Sequence, residues 1–279
     1  MKEVIRHLWR VIPAAVLLIL ISSASFWFLN TFQDSSEANI PWISVGGWLL
    51  ASRFLMAVAL TYVALRSRWS GTQLVCAIFV AFFGVHTFIN ISQAFMVMPD
   101  VMTLQMAALL TAHGFLVALA FSFVLVAVAG RMWQATVVAE SKRLHLPARE
   151  WLWKFGLSAC VWVGLYVLAQ VLVARYLRGP YPAEGKVPWW ELVMLQTGRA
   201  LLVVAFVLPV VKMLEGGRLE AGVTVAFLLC ILGGIAPMAL PVADLPEQTR
   251  LTLLFEHGGA NFVYGFLVGY LFSRQPSGL

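Results

Sequence analysis

A chain of 279 residues that is 61% hydrophobic and only 11% charged, with a mean hydropathy of +0.86, is not a water-soluble domain, where about a quarter of residues are charged. The net charge of +6 does not point to nucleic acid, because the basic residues fall in short gaps between apolar runs instead of on an aromatic-studded polar face. Apolar runs of about 20 residues exclude an outer-membrane barrel, whose strands alternate over about 10. Cys76, Cys160 and Cys230 lie in separate apolar runs without C-x-x-C spacing, so they read as buried structural thiols.

The expected fold is an all-α integral membrane protein, a bundle of about eight transmembrane helices in a single polytopic domain. The predicted spans cover about 11–30, 44–65, 72–95, 102–130, 152–174, 189–211, 220–240 and 251–272. The first follows Lys2, Arg6 and Arg10 and contains Ser22-Ser23-Ala24, which resembles a signal-peptide cleavage site. Apolar character continues through Phe26-Trp27-Phe28-Leu29, however, so retention as a span is expected. Lys and Arg concentrate in alternate gaps. Lys2, Arg6, Arg10, Arg66, Arg68, Arg131, Lys142, Arg143, Arg149, Lys154, Lys212, Arg218 and Arg274 fall on one side, and Arg175, Arg178, Lys186 and Arg250 on the other. By the positive-inside rule both termini are cytoplasmic and the protein sits in the inner or plasma membrane, with the bilayer as its first partner.

Two connections have their own character. The stretch Met132 to Glu150 is basic and broken by Pro147, which suits a surface near anionic lipid. The opposite stretch Gly179 to Trp190 carries three prolines and reads as a rigid extended loop over the mouth of a cavity.

The last span, LTLLFEHGGANFVYGFLVGYLF, organises the functional reading, because Glu256, His257 and Asn261 lie inside it. An ionisable residue at a helix centre costs roughly 2.5 to 3.5 kcal/mol on the insertion scale, so such residues need partners at their own depth. Arg53, His86, His113 and Arg199 fall within roughly 8 Å of that depth at 1.5 Å per residue. His86, Asn90 and Gln93 share one face of the third span, Gln196 and Arg199 one face of the sixth, and His257, Asn261 and Tyr264 one stripe of the eighth. Gly258, Gly265 and Gly269 flank that stripe and admit a close neighbour, helix or ligand. Gly233-Gly234, Pro237 and Pro241 give the seventh span the character of an interrupted helix.

This layer, built by spans two, three, four, six and eight, supports competing readings. In the first, charged Arg53 and Arg199 with an ionised Glu256 leave a net charge of +1, which suits permease-like handling of a small solute or ion, an anion above all. Asn261, Gln196 and Asn90 supply hydrogen bonds, and no substrate is specified. In the second, His86, His113 and His257 bind haem b or a metal ion in a membrane redox protein, with the arginines pairing to propionates. The segment Leu110-Thr111-Ala112-His113-Gly114-Phe115 resembles the haem-ligand helix of the main subunit of haem–copper oxidases. That resemblance covers one helix and implies His113 as an iron ligand opposite His257 or His86; the family's copper-ligand histidine pair has no counterpart here. A zinc hydrolase would use the three histidines with Glu256 as base, although no H-E-x-x-H motif is present. In a purely structural or assembly protein, Glu256 would neutralise Arg53 or Arg199 in a polar core that fixes helix packing.

Overall fold

In the computed structural model the described residues are 2–30, 42–97, 102–134, 147–177, 188–239 and 247–273, and they contain no strand. Helices occupy each of the eight predicted stretches. They are α1 (Lys2–Asn30), α2 (Trp42–Leu65), α3 (71–97), α4 (Leu104–Val128), α5 (Ala148–Leu177), α6 (Trp189–Met213), α7 (218–239) and α8 (Glu247–Phe272). Six of them, α2 to α7, are long and apolar enough to cross a membrane, and the apolar part of α1, Val11–Ala24, is shorter. This bundle is compatible with a multi-pass membrane protein. The greater part of the stretch Met132 to Glu150, residues 135–146, lies outside the described residues. So do most of the proline-rich loop, residues 178–187, and Pro241.

Two helices depart from α geometry. Within α3, Gly71–Ala81 and Ile89–Val97 are α-helical, but Phe82–Phe88 between them is π-helical. Within α7, Arg218–Leu229 is followed by a second π segment, Cys230–Ile235, and then by Ala236–Ala239. Backbone dihedrals stay in the right-handed region through each transition, so both helices continue without a break. A π turn bonds i to i+5 and leaves carbonyls that the regular ladder would have used; such turns gather at functional sites.

Helix ends follow local chemistry. Thr103 caps α4, its hydroxyl accepting from the Met106 amide at 3.2 Å, and Gly130 beyond the other end takes φ +70, which a side chain disfavours. Pro188, without an amide hydrogen, precedes the first turn of α6.

The ends of six helices, α2, α3, α4, α6, α7 and α8, meet on one side of the bundle. Arg68 donates its amide to the Met213 carbonyl at 2.8 Å and Glu215 to the Arg66 carbonyl at 3.1 Å, while Gly71 donates to Arg131 at 2.9 Å. Arg66 pairs with Glu220, and that hydrogen bond raises the Arg66 pKa above its usual value. Lys212 lies over Trp69 and Arg218 over Tyr270. The chain therefore collects Arg66, Arg68, Arg131, Lys212 and Arg218, all from the basic set of gaps, at one end.

Packing is closest between α7 and α8. Without a hydrophobic drive between helices in lipid, small residues that let backbones touch supply much of the attraction. A Cβ on Gly269 would lie 2.5 Å from the Ala221 carbonyl oxygen, and one on Gly265 would lie 2.7 Å from that of Val225. One on Gly234 would lie 2.8 Å from Gly258 Cα. The close neighbour expected beside the α8 glycines is thus helix α7. The cysteines correct an expectation: Cys76 and Cys160 are exposed on the bundle surface and Cys230 is half-buried, so the thiols are not core residues as a set. Cys76 and Cys160 sit on the outward faces of apolar helices, which sequence composition does not distinguish from inward ones, and Cys230 faces Gly258 of α8.

Candidate functional site

The π segment of α7 is the hub. Its freed carbonyls, and the one just beyond, receive side chains from three other helices. His86 Nδ1 donates to the Leu232 carbonyl at 3.2 Å, Asn261 Nδ2 to Gly233 at 3.4 Å, and Ser52 Oγ to Ala236 at 3.1 Å. Asn90 does the same inside α3, donating to the carbonyls of His86 at 2.8 Å and Val85 at 3.2 Å. His86, Asn261 and Asn90, three residues of the predicted polar layer, therefore complete the hydrogen bonding of interrupted helices. A buried carbonyl left without a donor costs about 1 to 3 kcal/mol. Asn261→Leu is accordingly expected to lower unfolding stability in detergent by about that amount. Asn261→Asp restores it only in its protonated form, because an ionised carboxylate has no donor.

Two groups of side chains hold the arginines, and the first reaches this hub through His86 at Leu232. The first holds Arg53, which donates from Nη1 to His86 Nε2 at 3.4 Å. A carbonyl bonded at Nδ1 requires the proton there, so Nε2 carries the lone pair that receives Arg53. Both ring nitrogens of His86 are occupied. Arg53 Nε is buried with no hydrogen-bond partner, and so is His113 Nδ1, which lies within the electrostatic reach of Arg53.

The second group centres on Arg199, which is 8% exposed. Its guanidinium carbon lies 5.0 Å from the centre of the Trp162 ring. Trp162 Nε1 donates to Gln196 Oε1 at 2.9 Å, and Trp162 packs edge-on against Tyr264 with ring centres 4.9 Å apart. The Tyr264 hydroxyl donates to the carbonyl of Ala200, next to Arg199, at 2.9 Å and so ties α8 to α6. Arg199 Nε is buried and unpartnered. His257 lies within the field of Arg199 and donates from Nδ1 to Leu253 in the preceding turn at 3.1 Å, leaving Nε2 as an acceptor.

Neither arginine forms an ion pair with any carboxylate among the described residues, whose salt bridges are Arg66–Glu220 and Glu150–Lys154. Glu256 is thus the counterion of neither Arg53 nor Arg199, which corrects the expectation of a self-neutralised core. It sits about 100° around α8 from His257, on another face. Nor do the histidines converge: among the described residues no three His, Cys, Asp or Glu side chains form a set able to hold a metal ion. His86, His113 and His257 as one three-ligand site is therefore not the arrangement found. Gly114, in the segment that resembles a haem-ligand helix, has a packing reason of its own, because Thr87 of α3 fills the space a Cβ would need.

An open cleft of about 690 Å³ lies elsewhere, between α3 and α4, lined by Phe83, Phe95, Leu104 and Phe115 among others. Its walls are apolar and include none of the arginines or histidines, so it is not where charge chemistry takes place. The contact of Trp162 with Arg199 follows from an aromatic at matching depth on the neighbouring helix. What the arrangement offers chemically is two buried cations with unused donors, each steadied by a neutral ring. No family model matches the chain, and no curated protein or solved structure matches it either.

Proposed function

We propose that the protein is an eight-span inner-membrane protein, with its basic end and both termini cytoplasmic, that binds and handles a small anion at Arg53 and Arg199. The observation that carries this reading is the pair of buried guanidiniums without a carboxylate. A buried ion costs several kcal/mol unless it is paired, and leucine would fill the same positions without that cost. An anionic ligand supplies the missing charge and accepts from the idle Nε–H groups, while the two π segments give the backbone room to adjust. Reconstitution into liposomes tests it. Arg199→Leu is expected to lower anion uptake at least about 100-fold, the scale of removing one partner of a buried charge pair, whereas Arg66→Leu, at an exposed pair, leaves it within about twofold. Equal uptake by both variants contradicts the reading.

A second reading rests on His257, whose Nδ1–H is held by a backbone carbonyl so that Nε2 keeps its lone pair, the tautomer that suits an iron ligand. In that reading the arginines pair with propionates. A reduced-minus-oxidised visible spectrum that shows haem bands in the wild type, and none in His257→Ala, supports it; a colourless protein removes it.

A further inference from the structure

We infer that the Arg199 site takes an oxyanion that carries its own hydrogen-bond donor, such as a protonated phosphate or a hydroxy-carboxylate, with His257 Nε2 accepting from the ligand's O–H. The inference rests on the anion reading above and adds the ligand class.

The hydrogen bonds of Trp162, Gln196, Tyr264 and His257 assign donors and acceptors near Arg199, which also lies within the field of Tyr166. Trp162 Nε1 only donates, so its bond to Gln196 assigns the amide oxygen to that contact and leaves the Gln196 NH2 free to donate. Gln196 is 1% exposed, and its NH2 has no partner among the described residues. Gln196 and Arg199 are three residues apart on α6 and share a face. Arg199 adds guanidinium donors, none used in a hydrogen bond among the described residues. The Tyr264 hydroxyl gives its proton to Ala200 and keeps an acceptor lone pair. The lone pair of His257 faces these donors: Leu253 fixes His257 with its proton at Nδ1, so Nε2 accepts and has no donor among the described residues. His257 shares the stripe of α8 that Tyr264 anchors beside Arg199. A ligand made only of acceptors meets Nε2 lone pair to lone pair and leaves that group unpaired. One that combines negative oxygens with a hydroxyl satisfies Arg199, Gln196 and His257 together.

The discrimination follows from chemistry alone. Phosphate and sulfate have the same shape, but at neutral pH every phosphate ion keeps at least one O–H and sulfate keeps none. Glycolate and acetate form a second pair on the same principle. Sites that hydrogen-bond a ligand hydroxyl reject the analogue lacking it, by as much as about 10⁴ to 10⁵ where the site is built for it.

Equilibrium binding of the four anions to the purified full-length protein, at constant ionic strength, is the test. The expected result is phosphate bound at least about 100-fold more tightly than sulfate, or glycolate than acetate, with the ratio falling toward 1 in His257→Leu and unchanged in Arg66→Leu. Equal binding within both pairs by the wild type overturns the donor requirement and leaves the anion site standing. Binding of none of the four overturns the anion reading and this inference with it. The wild-type ratios decide the matter even if His257→Leu does not fold.

Discussion

Gly269→Leu is expected to destabilise the protein by about 3 kcal/mol, near the upper end for overpacking a close contact. A Cβ at this position would lie 2.5 Å from the Ala221 carbonyl oxygen and 2.8 Å from Gly222 Cα, so backbone rather than a flexible side-chain tip is in the way. Helix α7 must then move off α8, and the Leu232 and Gly233 carbonyls leave their donors, His86 and Asn261. Damage at one end of the seam should therefore reach the site. Gly259→Leu is the control, because nothing lies within 4 Å of that position. It should change stability by no more than about 0.5 kcal/mol. Thermal unfolding of both variants in detergent reads the difference, and equal stability would remove the tight α7–α8 seam from the account.

Arg199→Leu carries the second large effect, and its sign matters more than its size. Were the guanidinium there to hold helices together, its loss would destabilise the ligand-free protein. Its one strong contact is the face of Trp162, worth about 2 kcal/mol when desolvated, against several kcal/mol for keeping an unpaired ion out of water. Ligand-free Arg199→Leu is thus expected to be about 1 to 2 kcal/mol more stable than the wild type, while its anion binding is lost. A ligand-free variant less stable than wild type by a similar margin would assign Arg199 to architecture. Arg53→Leu has a mixed outcome, since it also leaves His86 Nε2 without its donor.

Much of the fold was legible because lipid demands long apolar helices with their hydrogen bonds closed internally, and α4 and α6 need no more than that rule. The polar residues inside these helices were legible for the same reason: each carries a cost that stands out against leucine. Their partners were harder to read. His86 and Asn90, four residues apart, fit an ordinary helical stripe, yet they serve a π segment, and one inserted residue leaves no mark in an apolar run. Gly233-Gly234 hinted at irregular backbone in α7, but not that Asn261 and His86 would cover its carbonyls. Depth alone placed Glu256 beside the arginines; the angle around α8 directs it elsewhere, and order around the bundle is a property of packing that hydropathy does not carry. The same gap made three histidines at one depth look like one site when they belong to two groups.

The claim that two buried, carboxylate-free arginines hold an anion is tested most directly by the anion dependence of unfolding, comparing the wild type with the Arg53→Leu/Arg199→Leu double variant at fixed ionic strength. A ligand of the native state at 100 times its Kd stabilises by about 2.7 kcal/mol. The account predicts a saturating rise of that order for at least one anion in the wild type and none in the double variant. A flat response to every anion in the wild type, or the same rise in both proteins, would contradict it.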